Sequence, residues 1–322
     1  MQRRFAAVCA VLVAAAIVPT ASGQTYPSKP LRMIGPSSPG GGVDTNGRIL
    51  ANYLSQSMGQ QVVFENRAGA GGRIGVELAS KAPADGYTLL FSAAASMTIH
   101  PNTYKKLPYD PIRDFDPVSL FASSEYILAV HPSLPVKTVR NLIDLAKSRP
   151  GQIAYSSSGT FGLPHLGGEL LAQAADLKMI HVPYKGGGPA ASAILGGEVA
   201  FMFGTGPTVV PLAKAGRLRL IAIASPKRVP AMPELPTIAE TIPGVEISAW
   251  YGLIVPAGTP KDIIARLHAE TAKAVADPKV AALIRNAGGD PVTNTPAEFA
   301  AHIKAEIARW GRAVKAANLP LQ

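Results

Sequence analysis

Short apolar runs alternate with amphipathic stretches along almost the whole chain, and that alternation restricts the fold more than any other feature. Residues 31–34, 62–64, 87–91, 126–130, 153–155, 179–182, 199–203 and 218–224 read as strands by their β-branched and aromatic content. Residues 45–58, 74–82, 139–147, 165–175, 190–195 and 209–215 read as helices. Such alternation predicts an α/β fold with mostly parallel sheets. In those sheets ligands sit beyond the carboxyl ends of the strands, so the post-strand loops are the places to look. Four of them, after Ile34, Phe91, Tyr155 and Val182, are rich in Gly and Ser. The first, Pro39-Gly40-Gly41-Gly42-Val43-Asp44, joins a strand to a helix start, the geometry that aims bare backbone N–H groups at an anion.

Residues 92–96 read as a small-residue loop, and the Pro-rich stretch 101–117 as irregular. In the C-terminal third, Thr259-Pro260-Lys261-Asp262 places a cap residue, a first-turn proline and an acid in order. Its helix spaces Ile263, Leu267, Ala274 and Val275 on one side. Thr295 and Glu298 form a capping box ahead of Phe299, Ile303, Ile307, Trp310 and Val314, which recur at intervals of three and four. Both helices read as structural.

The chain opens with Met1-Gln2-Arg3-Arg4 and an uncharged apolar run, residues 5–18, followed by Ala21-Ser22-Gly23. That is the pattern of a signal peptide spanning residues 1–23, and it implies a periplasmic protein. The apolar run is too short for a membrane span. Cys9, the only cysteine, lies inside this segment, so the mature chain has no thiol for a disulfide, a metal or a nucleophile. Removing Arg3 and Arg4 leaves 29 basic residues against 21 acidic, a net +8. No dense basic run with interleaved aromatics accompanies that charge, which argues against nucleic acid and fits a mild attraction for small anions. The 299 residues from Gln24 onward are enough for two domains. The six histidines show no ligand spacing, so no metal and no cofactor is expected. Phosphate-loop, dinucleotide and nucleophile-elbow patterns are absent as well.

Further runs carry a family resemblance. They are Pro39-Gly40-Gly41 with Asp44 and Arg48, residues 59–63, Glu65-Asn66-Arg67-Ala68-Gly69-Ala70-Gly71-Gly72 and residues 85–89. Ser157-Ser158-Gly159-Thr160 with His165-Leu166, residues 181–186, residues 236–240 and Trp250-Tyr251-Gly252-Leu253 complete the set. With these, the chain resembles the substrate-binding proteins of tripartite tricarboxylate transporters, the Bug family of periplasmic receptors. The resemblance implies an α/β, two-lobe periplasmic binding protein fold of type II, a Venus flytrap with the ligand between its lobes. Lobe 1 would comprise residues 24–123 and 252–322 and lobe 2 residues 124–251, with crossings near Ser123 and Tyr251. It also implies no covalent chemistry and a monomer that hands a small carboxylate to membrane permease components. A sensory protein presenting its ligand to a membrane receptor would have the same binding lobes.

On this reading Gly40, Gly41 and Gly42, after Pro39, present N–H groups to a carboxylate at the first helix start. Asp44 either caps that helix or reaches a ligand amino group or water. Ser92 and Ser96 either donate to the ligand or end their strand. Ser157, Ser158, Gly159 and Thr160 form the opposing grip, with Tyr184, Lys185 and Gly186 beside it. Lys185 pairs with a carboxylate or is a surface lysine, and His165 reads as packed. Two departures from the family text bear on selectivity. Phe161 and Gly162 follow Thr160 where the family usually continues Gly-Ser, and Gly204 stands where members commonly place an aspartate. An added aromatic and a missing acid favour an apolar or aromatic carboxylate over an amino-bearing one; Phe161 facing the core is the other possibility.

Overall fold

The computed structural model describes residues 26–229, 232–316 and 321; the expected signal peptide lies outside them. The chain begins with β1 (Leu31–Gly35), α1 (Gly42–Met58), β2 (Val62–Asn66), α2 (Arg73–Ser80) and β3 (Thr88–Ala93). A π-helical turn (Ala95–Ile99) runs into α3 (His100–Thr103) and leads to β4 (Phe115–Val130). Then come α4 (Val139–Ser148), β5 (Ile153–Ser157), α5 (Leu163–Ala175), β6 (Met179–Pro183), α6 (Gly187–Leu195), β7 (Phe201–Thr205), α7 (Gly206–Lys214) and β8 (Arg219–Ile223). The chain closes with β9 (Ser248–Pro256), α8 (Lys261–Ala276), α9 (Pro278–Asn286), β10 (Asp290–Pro291) and α10 (Pro296–Ala316).

The strands follow the order β2-β1-β3-β9-β4-β7-β5-β6, with β8 and β10 also on β4. β4 joins two half-sheets. Its first part, Phe115 to Glu125, pairs with β9, and its second, Tyr126 to Val130, pairs with β7. The return passes close by: Ile247 N–H donates to Ala224 O, and the next residue, Ser248, pairs with Glu125. Two half-sheets joined at one point make a two-lobe α/β molecule with a cleft between the lobes. At the join, Glu125 is partly buried and its Oε2 has no hydrogen-bond partner among the described residues.

The expectation of mostly parallel sheets needs correction. β1 with β2 and β3, and β5 with β6 and β7, are parallel, but every pairing of β4 and β9 is antiparallel. The first part of β4 is hidden in the sequence by Pro117, which sits at a register shift, one of the few places a sheet tolerates a missing N–H. The expected loop at 92–96 is also partly helical, because alanines favour a helix there and side chains brace the turn. Thr98 Oγ1 donates to Ala94 O at 2.8 Å, and Tyr109 OH donates to Ser96 O at 2.6 Å.

The expected caps divide. Thr295 and Glu298 close their box, with Thr295 N–H on Glu298 Oε2 at 2.8 Å and Glu298 N–H on Thr295 Oγ1 at 3.2 Å. Thr259 does not cap α8: its hydroxyl donates to Pro256 O and Pro260 occupies the cap position. Leu267, Ala274, Phe299, Ile303, Trp310 and Val314 are buried as their spacing predicts, while Ile263 and Ile307 are half-buried. Each large apolar side chain buried there contributes roughly 1.5–3 kcal/mol. That burial fastens α8 and α10 to the lobe 1 part of β4.

Candidate ligand-binding site

Five helices start at the cleft. Gly41, Gly72, Gly186 and Thr205, the residues just before α1, α2, α6 and α7, line it, and α5 contributes its first residues, Leu163 and Pro164. None of the five is capped by the side chain of its own preceding residue, although the first N–H of α7, on Gly206, donates to Ser124 Oγ at 3.0 Å. The first N–H groups of a helix have no partner inside it, and together they carry roughly half a positive charge. Among the lining residues Lys185 alone has a charged side chain. The cleft is therefore a place for an anion, with no carboxylate to oppose it.

One wall is set by Tyr251. Its ring is fully buried, and its hydroxyl, facing the start of α1, has no hydrogen-bond partner of good geometry among the described residues. A Cβ added at Gly42 would stand 2.0 Å from that hydroxyl and 3.0 Å from Thr205 Oγ1, so only glycine fits there. Burial pushes the Tyr251 phenol upward despite the nearby Thr205 hydroxyl, and burial with the neighbouring Tyr251 does the same to Tyr126. Both remain neutral. Thr205 and Thr208 share a hydroxyl contact at 3.1 Å beside them. Val43, Leu163, Met202 and Phe203 supply apolar surface. The space measures about 810 Å³ with its open mouth, within the range of small-molecule sites.

Of the residues singled out in the sequence, Gly41, Gly42, Ser96, Ser158, Lys185, Gly186 and Gly204 line this space. A side chain at Gly204 would collide with Val209 Cγ1 at 2.2 Å, so packing by itself accounts for the missing aspartate. The others stand behind or outside the lining. Pro39 and Gly40 are exposed on the outer rim, where they share a groove with Tyr184, whose hydroxyl donates to Glu198 Oε2 at 2.8 Å. Asp44 accepts from Gly40 N–H at 3.0 Å and pairs with Arg48 at 2.8 Å. Ser92 is buried against Ser96 at 3.1 Å. Ser157 Oγ accepts from Gly159 N–H at 3.2 Å and meets His181 Nε2 at 2.6 Å, so it shapes the second-lobe loop from below. Gly159 and Thr160 face Gly71 of the other lobe. Phe161 turns away from the cleft and packs edge-on against Tyr104 and His165.

Lining residues not singled out as ligand contacts include Tyr126, Thr205, Thr208 and Tyr251, the last present only within a family run. The loop at 69–72 was visible as a glycine-rich run, but nothing local aims a β9 tyrosine at the start of α1. That alignment comes from the antiparallel pairing of β3 with β9, which sets Ala93 opposite Tyr251.

A family model described as the tripartite tricarboxylate transporter family receptor matches residues 47–319. The chain belongs to that family. The resemblance read from the motifs is confirmed, and as a member of a receptor family the chain is a solute-binding protein and not an enzyme. It is 35% identical to Protein BugT of Bordetella pertussis over 100% of this chain and 99% of that one. It is also similar to a solved structure of R. palustris Rpa4515 with adipate, at 33% identity and a TM-score of 0.89, covering 92% of this chain and all of the other. MatC from Rhodopseudomonas palustris with bound malate matches at 28% identity and a TM-score of 0.85, over 90% of this chain and all of that one. No helix among the described residues of this family member is long and apolar enough to cross a membrane. No group of three or more His, Cys, Asp or Glu among them could hold a metal ion.

Proposed function

We propose that the chain is a periplasmic receptor that closes on a small carboxylate and delivers it, as a monomer, to the permease of a tripartite tricarboxylate-type transporter. The observation that carries this reading is the meeting of five helix starts, four of them without any side-chain cap, on one cleft whose single charged side chain is a lysine. Residues 24–123 with 252–322 would form one jaw and residues 124–251 the other, in keeping with the change of β4 partners after Glu125. The ligand carboxylate would sit on the N–H groups around Gly41, Gly42 and Gly186, with Ser96, Ser158 and Tyr251 donating. Similar structures holding adipate and malate support a carboxylate ligand. A preference for an apolar or aromatic body rests on Val43, Leu163, Met202 and Phe203 instead of Phe161. An ammonium group would find no acid in the lining.

Thermal shift against mono-, di- and tricarboxylates, after removal of any bound ligand, tests the proposal. An acid at a hundred times its dissociation constant should add about 2.7 kcal/mol of stability. Silence across the panel overturns the carboxylate reading. Stabilisation by glutamate or aspartate, with none from benzoate-like acids, overturns the preference alone.

A further inference from the structure

The least comfortable backbone near the cleft belongs to Phe161. Its φ is +57°, in the left-handed region that a bulky side chain occupies only at a cost. Its ring is nevertheless buried, at 4% exposure, and part of what covers it comes from the opposite lobe. Tyr104, which follows α3 in lobe 1, meets the Phe161 ring edge-on with centroids 6.2 Å apart. Tyr104 in turn carries the Arg73 guanidinium over its face at 4.8 Å and packs against His100 at 5.1 Å. On its own lobe Phe161 lies against His165, whose Nδ1 accepts the Phe161 N–H at 3.0 Å. Two cleft-lining loops are tied by this stack. Arg73 directly follows the loop at 69–72, and Phe161 ends the loop at 157–160. Where the loops touch there is no slack: a Cβ at Gly159 would stand 3.0 Å from Gly71 Cα.

We propose that Phe161, Tyr104 and Arg73 form an interlobe latch that sets how far the cleft stays closed, acting on ligand affinity without touching the ligand. This rests on the solute-binding reading. The strained backbone directs the Phe161 ring across the gap, and its aromatic contact with Tyr104 exists only when the jaws meet. An open cleft would leave both rings partly in water, which favours closure. Phe161 and Tyr104 are thus positioning residues, and their loss should weaken every ligand by a similar factor.

The mature chain lacks cysteine, so a spin-label pair at exposed Lys81→Cys and Arg149→Cys reports the separation of the lobes. Distances are recorded with no ligand and with saturating adipate, for the parent, Phe161→Leu, Tyr104→Leu and the double variant. The closed fraction should fall in each single variant, with the open-to-closed ratio rising roughly five- to tenfold. The double variant should add little to either single one, because both break the same contact. Additive effects mean that each residue only supports its own lobe, and they overturn the proposal. So does a closed fraction unchanged by the substitutions, or a parent chain with no closed component. Absence of adipate binding counts against that ligand, while the ligand-free distances still decide the latch.

Discussion

Helix starts at the cleft and helix starts elsewhere are built differently. Away from the cleft, α4 is capped by Thr138, α9 by Asp277 and α10 by Thr295, each accepting backbone N–H groups. At the cleft, α1, α2, α5 and α6 have no side-chain cap and each follows a glycine, while α7 has only its first N–H taken, by Ser124 Oγ. α8 shows that an uncapped start is not sufficient by itself, since Pro260 precedes it far from any site. What separates the two groups is convergence on one volume with almost no competing charge. A capped helix satisfies its own N–H groups; an uncapped one keeps them available for something else.

The largest test of that contrast is Gly42→Ala. Its methyl group would press on the buried Tyr251 hydroxyl and displace the start of α1. Affinity for whichever carboxylate stabilises the parent in the thermal-shift panel should fall roughly 100-fold or more by calorimetry, the worth of two charge-assisted hydrogen bonds. Binding that survives intact would mean that the α1 start is not part of the grip.

The donors of the grip do not titrate near neutral pH, so the acid at the lobe junction is the place to look for pH dependence. Burial, with Asp290 nearby, raises the Glu125 carboxyl from 4.5 to about 7. Its folded pKa lies above its unfolded one, so the folded chain holds this proton more tightly. The contribution of Glu125 to stability is therefore fully present below about 4.5 and is lost as pH rises through about 7. Glu125→Gln should melt with the parent at pH 4.5 and above it at pH 8, by roughly 1–3 kcal/mol. A gap that does not widen across that range would sink this account of the junction.

Smaller effects sharpen the comparison from both sides. Thr138→Ala should cost about 1 kcal/mol in chemical denaturation and leave ligand affinity alone. Lys185→Gln should weaken binding roughly two- to fivefold at low salt and less at high salt, because its side chain is exposed at the mouth. An equal loss of affinity in both variants would erase the distinction between structural and binding helix starts.

The α/β class, the Pro39-to-Asp44 turn, the serine loop after β5 and the α10 face were legible in the sequence because each is local. Glycines, caps and apolar spacing act within a few residues and leave their mark there. Other features depended on distant partners. Phe161 had two open readings, a ligand contact or a core side chain, until its left-handed backbone and the Tyr104 ring, 57 positions earlier in the chain, placed it across the lobes. Asp44 had two open roles until Gly40 N–H and Arg48 filled its oxygens. Tyr251 reached the start of α1 only through antiparallel pairing of β9 with β3 and β4. By itself the sequence determined that a glycine-rich turn would open a helix after the first strand. Tertiary structure decided which five helix starts share one cleft and which side chains stand between the lobes, because neither is set by contacts a short stretch of chain can make with itself.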